Sequence, residues 1–337
     1  LAFIHLSGRS SLRDGIRNLT ANARRLYHLG AKPVSRSTFA DANNKRPASL
    51  YKALFGKLYQ KCQSVSPVHK FRFKNKLFSL DSTTIKLCLD VFSWASFRKR
   101  RGGIKLHTLL DHDGYIPAFV KITAARPHDS KIIKLLKLPK GSITVFDKAY
   151  INFKWFSSLS EAGVFFVTRP KTNTKYKVVK RHVANRKQGI TSDQTIQLKT
   201  SDGPLLLRRV GYYCSESHKH YEFLTNHFDL SAKTIAEIYK ERWQIEIFFR
   251  LIKQNLKLKN FIGNSENAVM TQVYVAMIIC LLVAYLKFLS KIGLSIQKML
   301  QLLQVNLLRR TCLQELFKPP KEKPDIKNGY PLLELVS

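Results

Sequence analysis

The sequence predicts a mixed α/β fold: a sheet core, a β-rich insertion, and helical regions at both ends. Three observations predict it. Residues 77–168 switch repeatedly between strand-like and helix-like patterns. Residues 170–229 hold only short, alternating, β-rich segments. Before and after these stretches, apolar residues recur at helical spacing.

Residues 1–65 read as helices. Ser11-Leu12-Arg13-Asp14 is a helix start, and Leu12, Ile16 and Leu19 follow at helical spacing. Gly30 and Pro33 interrupt the pattern, and Ser37 to Ala42 can open another short helix. A strand begins at Leu77-Phe78-Ser79-Leu80, meets Asp81, and goes on through Ser82-Thr83-Thr84-Ile85. Ile104 to Leu110 is a second strand, Asp113-Gly114 a hairpin turn, and Ala118 to Ala124 the returning strand. Asp129 to Leu136 is a short helix. Ser142 to Phe146 is a buried strand that ends in Asp147, Asn152 to Ala162 a helix, and Val164 to Thr168 a fifth strand. Three strands in meander, then helix, strand, helix and strand, describe a ribonuclease-H-like mixed sheet core.

Segments such as Leu205 to Val210 and Tyr221 to Leu224 form the β-rich insertion subdomain. A long helical region starts near Ser231 and runs with breaks to about Leu316, before a loose tail rich in Pro and Lys. The expected division is a helical N-terminal region at 1–70, the sheet core at 71–169 and 230–265, the insertion at 170–229, and a helical C-terminal region at 266–337. The chain opens on Leu1 and has no signal peptide, so its N-terminus reads as truncated. The longest apolar run, Val273 to Leu286, has about 14 residues, shorter than a membrane span, and reads as a buried core helix.

Charge narrows the function. Lys and Arg number 58 against 22 Asp and Glu, a formal net charge of +36. The cations are spread along the whole chain, and a compact chain of that charge needs a polyanion. Nucleic acid is the natural partner, ahead of a ribosomal-type role or a membrane surface. The basic N-terminal helices either dock on DNA or cap the core. Five scattered cysteines with no CxxC pair argue for neither zinc nor disulfides and fit a reducing cytoplasm.

An acid inside an apolar strand is expensive without a partner. Asp81 and Asp147 both sit in such places, and a bound cation would relieve two carboxylates that face each other. Each is equally readable alone as an acid capped by backbone N–H groups at a strand end. A third acid lies in the helical stretch Ile235 to Lys259. Tyr239, Arg242, Glu246, Arg250 and Lys253 fall on one stripe of that helix, beside the apolar Ile238, Ile245, Phe249 and Ile252. Spacing alone also allows an ordinary solvated face. Asp90, Asp111, Asp113 and Asp129 are rival acids, the middle two explained by the hairpin turn. His107 and His128 are either packed histidines or neighbours of the acids. Arg98-Lys99-Arg100-Arg101, between the first two strands, is either a solvated loop or a phosphate contact.

These residues resemble a known family. Tyr239-x2-Arg242-x3-Glu246-x6-Lys253 is similar to the Y-R-E-K signature of the insertion-sequence-four family of bacterial transposases. Leu80-Asp81-Ser82-Thr83 resembles the block around that family's first Asp, and Val145 to Tyr150 the block around its second. Phe223 to Asn226, the run Ala125 to Ser130 and the N-terminal segments around Ser11, Tyr27 and Ser35 also look like family text, the last like the helical N-terminal domain of one branch. The resemblance implies a DNA transposase with Asp81, Asp147 and Glu246 as its catalytic, metal-holding DDE triad. It implies two Mg²⁺ (or Mn²⁺) ions per site, working by phosphoryl transfer in cut-and-paste transposition. It also implies that Tyr239, Arg242 and Lys253 hold DNA phosphates; Arg250 joins them from the stripe alone. Trp243, Tyr212, Tyr213 and Tyr221 are the candidates for stacking a flipped base, or else core aromatics. Double-stranded DNA, as transposon ends and target, is the expected partner. A homodimer on DNA is expected by analogy; no membrane and no small-molecule cofactor are expected. The expected place of action is the bacterial cytoplasm, at the nucleoid. A metal-dependent endonuclease with the same triad and a catalytically dead DNA-binding derivative are the alternatives.

Overall fold

The computed structural model describes all residues except positions 10, 28–29, 89–90, 99–100, 125–128, 202, 259, 310–311 and 319–337. Expectations that fall on Asp90, Lys99, Arg100, His128, Lys259 and the tail therefore lie outside the described residues.

The N-terminal region folds into helices α1 (Ala2–Leu6), α2 (Leu12–Ala21), α3 (Ala23–Leu26), α4 (Arg36–Lys45) and α5 (Ala48–Gln63). Ser11 and Ser35 cap α2 and α4 by accepting from the backbone N–H of Asp14 and Thr38. The sheet core follows: β1 (Leu77–Leu87), β2 (Ser96–Arg98), β3 (Arg101–Asp111), β4 (Ile116–Ala124), β5 (Ile143–Phe146), helix α6 (Phe153–Glu161) and β6 (Phe165–Thr168). β1 runs antiparallel to β3 and parallel to β5, and β5 runs parallel to β6. The turn between β3 and β4 places Gly114 at φ +77° and Tyr115 at φ +53°.

The structure departs from the sequence reading in several places. A strand that the sequence reading did not expect, β2, pairs with the start of β3, with Ser96 opposite Gly102 and Arg98 opposite Arg101. A strand of three residues is too short to show apolar alternation, so pattern reading passes over it. Residues 129–135 form a 3₁₀ helix in place of an α-helix.

The insertion contributes β7 (Lys177–Arg181), β8 (Ile190–Thr200), β9 (Gly203–Cys214) and β10 (Lys219–Thr225). These strands continue the core sheet, in the order β2-β3-β1-β5-β6-β10-β9-β8-β7, with β4 on β3. The junction is short: Leu224 and Thr225 of β10 pair with Thr168 and Val167 of β6.

Helices α7 (Ala232–Glu241), α8 (Gln244–Gln254), α9 (Glu266–Leu289), α10 (Ile296–Asn306) and α11 (Leu313–Leu316) complete the described fold. α9 is longer than its apolar run suggests: 24 residues, long and apolar enough by composition to cross a membrane. Most of that helix is buried, against α5, β4 and α10. One face of the sheet is covered by α5, α8 and α9 around Ile104, Leu106, Val273 and Met277, and by α7 around Ile143, Val145 and Ile235. The opposite face carries Phe78, Leu80, Phe146 and Phe166 against α6.

Candidate active site at the carboxylate cluster

Strand parity decides where the acids point. On β1, Leu77 faces α7 and Ile85 faces the α8–α9 layer, while Phe78 and Leu80 face α6. Asp81 has the parity of Leu77 and Ile85, so it looks toward α7 and α8. Asp147 follows β5 with the parity of Val145, on the same side. The register pairs Leu80 with Phe146, so Asp81 and Asp147 are neighbours across two parallel strands.

Each aspartate has one oxygen fixed by the backbone. Asp81 Oδ1 accepts from the Ser82 N–H at 2.7 Å, and Asp147 Oδ1 from the Ala149 N–H at 3.1 Å, where it caps a 3₁₀ turn. Backbone capping and clustering thus coexist, and the Asp81 Oδ2 remains for another partner. That partner is Arg242, whose Nη1 donates to Asp81 Oδ2 at 2.7 Å while its Nη2 donates to Glu246 Oε1 at 2.9 Å. One guanidinium therefore joins acids that are 165 positions apart (246 − 81). Burial pushes the Asp81 carboxyl up to about 6, the Arg242 charge opposes this, and the nearby Asp147 and Glu246 charges add to it.

The stripe carrying these residues is not one helix. α7 stops at Glu241, α8 starts at Gln244, and hydrogen bonds across the joint tighten to i→i+3: Arg242 N to Tyr239 O, Trp243 N to Lys240 O, Ile245 N to Arg242 O. The sequence has no Gly or Pro there, so periodicity alone reads straight through. A buried contact to distant segments lies at the joint. Glu241 is buried at the end of α7 and is held by Lys70 Nζ at 2.5 Å and by the Tyr115 hydroxyl at 2.9 Å. α8 also ends at Gln254, short of the expected Lys259, and Lys257 takes φ +53° soon after.

Around the acids, Lys253 Nζ donates to Thr83 Oγ1 at 2.5 Å and to the Thr84 carbonyl, two and three residues past Asp81. Arg250 is exposed and lines a cavity of about 400 Å³ with Asp81, Thr83, Glu246 and Lys253. Tyr239 lies under the Arg242 guanidinium, 5.7 Å from ring centre to Cζ, and burial raises its hydroxyl above the ordinary value. A second cavity, of about 410 Å³, borders Asp147 and is lined by Trp243, Tyr212, Tyr221, Tyr239 and Arg169. Trp243 is 52% exposed at the α7–α8 joint. Tyr213 is the exception among these four aromatics: its ring packs at a tilt against His220 and its hydroxyl bonds to His218, and it does not line this cavity. Arg169, whose guanidinium lies 5.3 Å from the Tyr221 ring centre, was not singled out by the sequence. Its only signal is an Arg directly after the buried strand end Val167-Thr168.

Other sequence candidates have structural explanations. Asp111 is fully buried, accepting from the Tyr59 hydroxyl and pairing with Lys76, which also pairs with Asp113. His107 is buried on β3, with Thr123 Oγ1 at 3.1 Å and the Tyr150 hydroxyl at 3.4 Å. Arg98 and Arg101 are placed by backbone only, in β2 and β3.

Among the described residues, no three His, Cys, Asp or Glu side chains are grouped closely enough to hold a metal ion as they stand. The Arg242 guanidinium stands between two of the acids, and Asp147 turns toward its backbone cap. The donor set is nonetheless of the kind a hard divalent cation takes: oxygen atoms from three carboxylates, two of them already bound to a positive charge.

Comparison with known proteins shows the family. Residues 72–282 match the family described as the transposase DDE domain, and residues 1–32 match a domain of unknown function. The chain belongs to the transposase DDE domain family. Its relatives include a protein of Sinorhizobium fredii described as the transposase y4zB, 34% identical over 312 residues, 89% of this chain and 85% of the relative. A protein of Geobacillus stearothermophilus described as a transposase for insertion sequence element IS5377 is 30% identical over 74% of this chain and 67% of its own length. One of Synechocystis, described as a transposase for insertion sequence element IS4SA, is 24% identical over 82% of this chain. Among solved structures, the piggyBac transposase synaptic complex with hairpin DNA aligns with a TM-score of 0.42 at 11% identity, covering 73% of this chain and 55% of that one. The protein is a DNA transposase of the DDE type, in line with the insertion-sequence-four resemblance of its motifs. DDE domains of this kind generally use divalent metal ions.

Proposed function

We propose that Asp81, Asp147 and Glu246 are the catalytic acids of this transposase and hold two Mg²⁺ or Mn²⁺ ions. The observation that carries the reading is the meeting of Asp81 and Glu246 on one guanidinium, with Asp147 on the adjacent strand and on the same face. When bound, the cations would activate an attacking oxygen and stabilise the leaving 3′ oxygen in an in-line displacement at phosphorus. The chain's own groups position the DNA. Lys253 supplies a point charge beside β1, Arg250 a cation at the mouth of the carboxylate cavity, and Tyr239 a phenol next to Asp147. Water as attacking group gives strand cleavage, and a 3′ hydroxyl gives strand transfer.

The cavity beside Asp147 suits a base turned out of the duplex, with Trp243, Tyr212 and Tyr221 as stacking faces. We read the five core strands, ordered β4-β3-β1-β5-β6 with only β3 antiparallel to its neighbours, as a ribonuclease-H-like core. The remaining divisions follow: a DNA-binding helical region at 1–70, the insertion at 170–229 and the C-terminal helices from 266. The working form is a dimer on two DNA ends, acting in the cytoplasm at the nucleoid.

The test is cleavage of a duplex carrying the element's end with Mg²⁺. Asp147→Ala is expected to lose all cutting while keeping DNA binding in a gel-shift assay. Unchanged cutting would remove Asp147 from the site.

A further inference from the structure

We propose that Arg242 is a positioning residue: it is the resident counter-cation of Asp81 and Glu246, which divalent cations displace before it can take a DNA phosphate. The inference rests on the reading that these acids hold the cations. It goes beyond that reading in giving one side chain two successive anions.

The geometry is specific. Both terminal nitrogens of Arg242 are engaged, one on each acid, at 2.7 and 2.9 Å. Both terminal nitrogens already serve carboxylates, so a phosphate competes with the two acids for them. Its Nε is buried and has no hydrogen-bond partner, so the arrangement leaves a donor unsatisfied. Arg242 also occupies the joint between α7 and α8, with the Tyr239 ring centre 5.7 Å from its Cζ.

Charge gives the direction of exchange. Three carboxylates against one guanidinium leave two negative charges, which hold Arg242 in. Two divalent cations reverse that sign and drive it out, toward a DNA phosphate. Cation binding and phosphate binding thereby become linked, and each strengthens the other. Until the cations arrive, Arg242 also keeps Asp81 and Glu246 from repelling each other.

The experiment titrates Mn²⁺ into the DNA-free full chain and follows free Mn²⁺ by electron paramagnetic resonance. Arg242→Lys keeps the charge but replaces the two terminal nitrogens, one on each acid, with a single ammonium, and Arg242→Gln removes the charge and the two-pronged contact. Arg250→Gln removes a nearby cation that lines the same cavity, which controls for the loss of a charge alone. Expected are tighter Mn²⁺ binding by about ten-fold in R242Q and a clear tightening in R242K, each exceeding the change in R250Q. Reciprocally, a fluorescent duplex of arbitrary sequence should bind wild type more tightly in Ca²⁺ than in NaCl of equal ionic strength, and R242Q should lose that gain. R242K matching wild type with R242Q matching R250Q, or a Ca²⁺ gain equal in wild type and R242Q, would overturn the exchange. No Mn²⁺ binding in wild type or any variant would instead bring down the metal-site reading itself; binding that D147N abolishes would keep it.

Discussion

Asp81 shows how one residue can serve a site at the expense of the fold. Burial pushes its carboxyl up to about 6 from an ordinary value near 3.8. The folded chain therefore holds the proton more tightly than the unfolded chain between those values. Stability tied to Asp81 is greatest below about pH 4 and falls as pH rises toward 6. Asp81→Asn removes that dependence, and its stability relative to wild type should improve by on the order of 1–2 kcal/mol as pH goes from 4 to 7. Thermal unfolding across that range checks it; a difference that stays flat would mean that Arg242 fully compensates the burial. Cation binding requires the ionised acid, so Mn²⁺ affinity should drop below about pH 6. Asp81 and Asp147 were legible because an acid in an apolar strand needs a reason. The Arg242 bridge was not, since spacing along a helix shows only which residues share a face, never what that face meets across the chain.

At the scale of elements, long-range contacts override local pattern. The strands and turn at 104–124, β5, α6 and β6 were readable from alternation and turn chemistry. The α7–α8 joint was not: no Gly or Pro marks it, and the contacts of Glu241 there come from Lys70 and Tyr115 in distant segments. Tyr212 and Tyr213 differ only by strand parity, and parity in the insertion cannot be assigned until its register on β10 is known: Tyr212 stands opposite Tyr221. A second buried anchor fixes the entry to α7. Arg208 on β9 pairs with Asp193 on β8 through two nitrogens, at 2.9 and 2.7 Å, and donates to the carbonyls of Phe228 and Leu230 just before α7. Arg208→Ala strands Asp193 in the interior and should destabilise the protein by roughly 3–5 kcal/mol in denaturant unfolding. A loss under about 1 kcal/mol would show that water reaches the vacated site.

For the whole molecule, the net charge of +36 governs how it meets DNA. Affinity for duplex should fall by roughly 10³–10⁵ between about 50 and 200 mM salt if six to ten phosphates are contacted. Arg98 and Arg101, in β2 and at the start of β3, are proposed to contact phosphates at this interface. Replacing both by Gln should lower the slope of log affinity against log salt by about 1.8, and an unchanged slope would take both residues out of the interface.

The burial of α9 has a consequence for synthesis. This helix presses on α5, made some 200 residues earlier, and on β4, and it completes the layer behind α8. A ribosome that stalls before residue 289 leaves an oily cleft lined by α5, α8 and the first sheet strands, with nothing to fill it. Truncated products of this gene should therefore clump or be degraded instead of persisting as DNA-cutting fragments, so an incomplete message yields no stray nuclease.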